Sequence, residues 1–95
     1  MTRAMIGPAS RVRLAGKARL QQDRVSGKPF LLYPERGLEL SDSAARIVAA
    51  CAGDRTVASI VDELAAASGE SRGRIETEVI DFLRALDDRG LLVVT

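Results

Sequence analysis

At Ser41 the chain changes its periodicity, and that change limits what it can fold into more than any other feature. Before it, three extended segments at residues 19–25, 29–33 and 38–40 alternate with residues that favour tight turns. After it, apolar residues recur at three- and four-residue spacing, the repeat of an amphipathic helix. A chain of this kind makes hairpins first and helices second, so the sequence implies strands collected at one end and helices at the other, not alternating units of a parallel sheet.

The turns carry their own chemistry. Gly27 after Ser26 supplies the positive φ that a hairpin turn needs. In Pro34-Glu35-Arg36-Gly37 the proline presets φ for a type I turn, and Gly37 is expected to take the left-handed position that closes the loop. Ser41 is placed to cap a helix whose apolar face is Ala44, Ile47, Val48 and Cys51, and Gly53 ends it. Thr56 is placed to cap a second, burying Val57, Ile60, Val61 and Leu64, with Gly69 after its last turn. A third begins between Ser71 and Arg74, carries Ile75, Val79, Phe82, Leu83 and Leu86 on one face, and stops at Gly90. Residues 91–94 form a closing apolar segment, a last short strand or packing against the helices. The reading is an α+β fold of winged-helix type, a three-stranded antiparallel sheet followed by three helices, occupying residues 18–95. Residues 1–17, with Gly7, Pro8, Gly16 and scattered arginines but no sustained period, read as a flexible N-terminal arm with at most a short docked strand.

A chain of 95 residues has room for one domain and a single core. No apolar run approaches the roughly 20 residues that span a bilayer, and the first ten residues lack the apolar stretch of a secretory signal, so no membrane association and a cytoplasmic location are expected. The one cysteine, Cys51, falls on an apolar helix face and reads as a small buried hydrophobe. There is no histidine, which removes Cys/His zinc sites and every catalytic pair that uses imidazole as base. Asp62-Glu63 and Asp87-Asp88 are adjacent pairs, which on a helix diverge by about 100° and do not converge on one proton or metal. The glycines are isolated, so neither a P-loop nor a dinucleotide fingerprint is present. No catalytic residue, metal ligand or cofactor is expected.

The net charge of +1 hides an asymmetry: residues 1–36 carry +6 and residues 37–95 carry −5. Winged helices that bind DNA read it with the third helix, which here holds Arg72, Arg74, Arg84 and Arg89 against Glu76, Glu78, Asp81, Asp87 and Asp88. A helix one charge negative is poorly suited to a phosphate-lined groove, which disfavours nucleic acid as the partner. What remains is a sheet edge, Leu38-Glu39-Leu40, beside an apolar and acidic helix, a template for an added peptide strand. With Leu38 and Leu40 turned to the core, Glu39 faces outward. The same edge is open to a second copy of the chain, so a homodimer through it is a competing use.

Leu31-Leu32-Tyr33-Pro34-Glu35-Arg36-Gly37-Leu38-Glu39-Leu40, followed by Ile47, Gly53-Asp54-Arg55-Thr56-Val57, Ile60-Val61 and Leu64, resembles the pyrroloquinoline quinone (PQQ) synthesis protein D family. Val79, Phe82-Leu83, Leu86 and Gly90-Leu91-Leu92 continue the likeness, which covers about residues 20–92; Ala52 stands where the family often has an acidic residue, and the segment before Ala18 does not match. The resemblance implies a non-enzymatic peptide chaperone, free of cofactor, that holds a ribosomally made precursor peptide as an added strand for a radical S-adenosylmethionine enzyme that crosslinks glutamate to tyrosine. Carried onto this sequence, it implies a peptide site at Gly37, Leu38, Glu39, Leu40 and Ser41, resting against Ile75, Glu78, Val79 and Leu83 of the third helix. Precursor recognition for another peptide-modification pathway, nucleic-acid binding and structural oligomerisation are the alternatives.

Overall fold

The computed structural model describes residues 6–94 apart from 35, 52 and 54. Its elements run β1 (Arg11–Leu14), β2 (Arg19–Gln22), β3 (Pro29–Tyr33), β4 (Arg36–Glu39), α1 (Asp42–Ala50), β5 (Arg55–Thr56), α2 (Val57–Ser68), α3 (Arg72–Asp88) and β6 (Leu92–Val94). The strands form two antiparallel sheets, β2-β3-β4 and β5-β1-β6. The three helices stand where the periodicity put them, and the α+β class holds.

The first sheet is the expected meander. β2 pairs with β3 from Arg19↔Leu32 to Gln22↔Pro29, and β3 pairs with β4 from Phe30↔Glu39 to Tyr33↔Arg36. One local expectation is corrected. Tyr33 faces Arg36, so the connection is shorter than the four-residue loop, and Gly37 lies inside β4 opposite Leu32 and is not among the positive-φ glycines. Its smallness serves packing: a Cβ there would come within 3.1 Å of Leu32 Cδ2. Glu35 of that loop lies outside the described residues.

The second sheet contains the short docked strand that the reading of residues 1–17 allowed, and gives it a central place. β1 is its middle strand, joined to β5 at Arg11↔Thr56 and Val12↔Arg55 and to β6 from Val12↔Val94 to Leu14↔Leu92. Val12 is wholly buried and Ile6 nearly so. Residues before β1 also complete a helix. The N–H groups of Val57 and Ala58, which open α2 and have no partner within it, donate to the carbonyls of Ser10 and Pro8 at 2.9 Å each. Thr56 Oγ1 accepts from the Ser59 N–H at 3.2 Å, so the first turn of α2 is satisfied partly by its cap and partly by the N-terminal segment. Residues 1–5 of the expected arm lie outside the described residues.

Ser41 caps α1 as its position suggested, its Oγ accepting from the Ala44 N–H at 3.1 Å. Gly69 and Gly90, at φ 74° and 71°, end α2 and α3. One core joins both sheets to the helices: Val12 from β1, Leu31 from β3, Val48 and Cys51 from the end of α1, Val57, Ile60 and Val61 from α2, and Val79, Leu83 and Leu86 from α3. Fully burying each such side chain is worth about 1.5–3 kcal/mol, and the shared core is what holds the hairpin sheet at a fixed angle to the helices.

Candidate peptide-binding site

The Leu40 N–H donates to the Pro29 carbonyl at 2.9 Å. In an antiparallel pair hydrogen-bonded positions alternate, so with Leu31↔Leu38 as the next such pair, Leu38 and Arg36 also direct their backbone groups at β3. Gly37 and Glu39 then point their N–H and C=O groups the other way. Among the described residues no strand pairs with that side of β4. The Glu39 side chain is exposed, 3.9 Å from Lys28 Nζ, while Leu40 is buried and Leu38 packs on the core. The expected orientation of Leu38, Glu39 and Leu40 is what the structure shows, and the backbone parity adds that Gly37 and Glu39 hold the available hydrogen-bonding groups.

β4 runs through Ser41 into α1, and the first turns of α1 open onto a pocket. Ser43, Arg46 and Ile47 line one wall, Leu64 and Ser68 the end of α2, and Ile75, Glu78 and Val79 of α3 the opposite wall. Ile47 and Ile75 are nearly buried and Val79 more so, giving an apolar floor. Arg46 and Glu78 are exposed and place opposite charges at the mouth. Three of the four α3 residues singled out in the sequence, Ile75, Glu78 and Val79, therefore come together in one hollow. Leu83 does not join them; it is wholly buried in the core. Arg46, Ser43 and Leu64 were not anticipated, because the approach of α1 to α3 depends on how both pack on α2, and no local pattern records that.

The remaining candidates for chemistry are structural. Arg55 lies along α2, bonded to Glu63 at 2.9 Å and to Ser59 Oγ at 2.9 Å, which ties β5 to the helix. Asp54 of the same motif and Ala52 before it lie outside the described residues. Asp62 bonds Arg72 instead, at 2.8 Å, so the adjacent carboxylates Asp62 and Glu63 serve different partners. Burial pushes the Cys51 thiol up to about 11, with Arg55 opposing in part, so it is protonated and unreactive at neutral pH. Among the described residues no three His, Cys, Asp or Glu side chains gather as a metal set, and no helix is long and apolar enough to cross a membrane.

Residues 30–92 match the family model of Coenzyme PQQ synthesis protein D (PqqD). This chain belongs to the PqqD family. A PqqA binding protein of Rhodopseudomonas palustris (strain BisB5) is 37% identical over 87 residues, 92% of this chain and 85% of the relative. One from Xanthomonas axonopodis pv. citri (strain 306) is 40% identical over 83 residues, 87% of this chain and 90% of the relative. Another, from Rhodopseudomonas palustris (strain TIE-1), is 36% identical and spans 95% of this chain and 88% of its own length. A match that long takes in most of the segment before Ala18, β1 included, which the family model, beginning at residue 30, does not reach. The solution NMR structure of the PqqD truncation of Methylobacterium extorquens PqqCD, described as a functional stand-alone RiPP recognition element, superposes with a TM-score of 0.80 at 28% identity, covering 93% of this chain and 94% of that one. TbiB1 in complex with the TbiA(β) leader peptide shares the fold, with a TM-score of 0.71 at 23% identity over 84% of this chain and 93% of that one.

Proposed function

We propose that this chain is a peptide carrier of PQQ biosynthesis that performs no catalysis itself. It takes the ribosomal precursor peptide as a fourth strand along β4 and presents it to the radical S-adenosylmethionine enzyme of the pathway. The observation that carries the proposal is the outer edge of β4, where Gly37 and Glu39 offer backbone groups that no strand takes up among the described residues, on a strand that leads directly into the α1–α3 pocket. That the relatives are PqqA binding proteins supports the same reading. A ribosomal peptide and its carrier meet in the cytoplasm, and the mouth charges of Arg46 and Glu78 favour a peptide whose apolar anchor is flanked by polar residues.

Energetics favour a carrier over a permanent clamp. Ordering about six peptide residues costs roughly 6–12 kcal/mol of backbone entropy. Ladder hydrogen bonds contribute about 1 kcal/mol each, and each apolar side chain that enters the pocket about 1.5–3 kcal/mol. These gains exceed the cost only modestly, and an affinity around the micromolar range or somewhat tighter is the expected outcome. Calorimetry of the full chain with the synthetic precursor peptide should show saturable one-to-one heat; no binding at high micromolar concentrations would contradict the proposal. An unrelated leader peptide offered in the same experiment separates this pathway from other peptide modifications. Nucleic-acid binding is opposed by α3 itself, where Arg72 is committed to Asp62 and Glu76 and Arg74 lies 3.8 Å from Glu78.

A further inference from the structure

The β2-β3-β4 sheet has a face that neither the core nor the peptide edge uses. Cross-strand partners point to one side of a sheet, so Leu20, Leu31 and Leu38 share the core side, while Arg19 with Leu32 and Gln21 with Phe30 look outward. Phe30 and Leu32 are half-buried there and floor two adjoining hollows, one bounded by Arg24 and the other by Lys17 and Arg19. Gly37 keeps the floor open, since a side chain at that position would press on Leu32.

At the tip of the β2–β3 hairpin Val25 is 95% exposed. Its backbone is held firmly. The Asp23 carboxylate accepts from the Ser26 N–H at 3.2 Å and from Ser26 Oγ at 2.7 Å, the Gln22 side-chain amide donates to the Gly27 carbonyl at 2.7 Å, and Gly27 closes the turn at φ 73°. A fixed turn that projects an aliphatic side chain into water is a preordered anchor, the kind that loses least entropy when a partner covers it.

Charge selects the occupant. Lys17, Arg19 and Arg24 form a basic rim; the carboxylate of Asp23 is turned into the hairpin, and Glu39, opposite Phe30 on the same face, is offset by Lys28 at 3.9 Å. Two copies meeting face to face would oppose these cations, and a basic face set on the acidic helices of another copy would be a head-to-tail contact, which builds rings or filaments and not a simple pair. The fitting partner is a different protein with an acidic, apolar-centred surface. If the chain is a peptide carrier, on which this inference rests, the protein it must meet without losing its peptide is the enzyme that modifies it. A peptide strand adds in the plane of the sheet and this face looks out perpendicular to it, so both sites fill at once.

We propose that the outer face of β2-β3-β4, with Phe30 and Leu32 as floor, Lys17, Arg19 and Arg24 as rim and Val25 as anchor, docks an acidic surface of the peptide-modifying enzyme while the β4 edge holds the peptide. The test titrates the pathway's radical S-adenosylmethionine enzyme into the full chain and into the Arg24→Glu, Val25→Asp double variant, with the precursor peptide titrated separately into both. Enzyme affinity should fall about tenfold or more in the variant, as for loss of an interface anchor, and weaken with salt in the wild type, with peptide affinity unchanged. Lys17→Glu with Arg19→Glu should reproduce the loss from the other hollow. Unchanged enzyme affinity in both variants, absence of enzyme binding by the wild type, or a parallel loss of peptide affinity would overturn the proposal. Enzyme binding that fails in the variants, in a chain that never binds the peptide, would sink the carrier reading and leave the docking face standing.

Discussion

The two sheets have the same number of strands and opposite construction. β2-β3-β4 is made by neighbours in sequence, and among the described residues no strand covers the outer side of β2 or β4; β5-β1-β6 is made by segments 11–14, 55–56 and 92–94, with all three helices lying between them in sequence. The second sheet holds segments 11–14 and 92–94 against the core, and its middle strand supplies a wholly buried valine. The first lays Leu31, Leu38 and Tyr33 on the core and presents its other face and its edges outward. On the proposed function, the difference separates stability from recognition: the one in distant segments that pair with each other, the other in a local hairpin whose edge no strand covers among the described residues.

The sharpest way to break that division is to place a charge in each sheet. Val12→Asp buries a carboxylate with no partner in the centre of β5-β1-β6 and should cost on the order of 4 kcal/mol or more, enough to leave a domain of this size largely unfolded by urea titration. Leu20→Asp, at the 39% exposed edge position of β2, should cost less than about 1 kcal/mol. Equal losses would show that the hairpin sheet bears as much of the fold as the other.

A second probe uses Cys51, whose carbonyl accepts the Leu14 N–H at 3.2 Å and which therefore sits under the closed sheet. Its thiol titrates near 11 in the folded chain against a reference of 9.0. The folded value is raised, so the unfolded chain releases its proton first. Stability is intact below pH 9 and declines as pH rises toward 11, by roughly 2–3 kcal/mol in total. Denaturation midpoints across that window should fall in the wild type more than in Cys51→Ala, and the native thiol should resist labelling at pH 8. Ready labelling there would place Cys51 outside the core.

Proline separates the two sides of β4. Glu39→Pro removes a donor that faces away from β3 and should lower peptide affinity by about tenfold with stability changed by less than about 1 kcal/mol. Leu40→Pro removes the bond to Pro29 and should cost stability first, about 1–3 kcal/mol. The smallest expected effect is at Gly37, where alanine obliges Leu32 to shift by a few tenths of an ångström and should cost under about 1 kcal/mol; a thermal melt resolves it.

The hairpins and helices were legible because their signals are local. Gly27, Ser41, Thr56, Gly69 and Gly90 each act within a few residues of themselves, and each stands where its chemistry suggested. β1 was also written in the sequence, as the alternation Arg11-Val12-Arg13-Leu14, but four residues with partners at Thr56 and Leu92 have no local signal to lift them above a loop. The site divides in the same way. The β4 edge follows from alternation, whereas the candidate residues Ile75, Glu78 and Val79 come with the family resemblance, helical spacing giving only that Ile75 and Val79 share an apolar face. The contribution of Arg46 and the burial of Leu83 depend on the angle at which three helices meet, and period alone gives no such angle.

The central claim is that the β4 edge and the α1–α3 pocket form one peptide site while the β5-β1-β6 sheet takes no part. Titrating isotope-labelled protein with the synthetic precursor peptide tests it directly by amide NMR. Saturable shifts at Gly37, Glu39, Arg46 and residues 75–79, with the amides of β1 and β6 unmoved, are the predicted result. Shifts concentrated in β1 and β6, or at the outer edge of β2 with β4 silent, would contradict it.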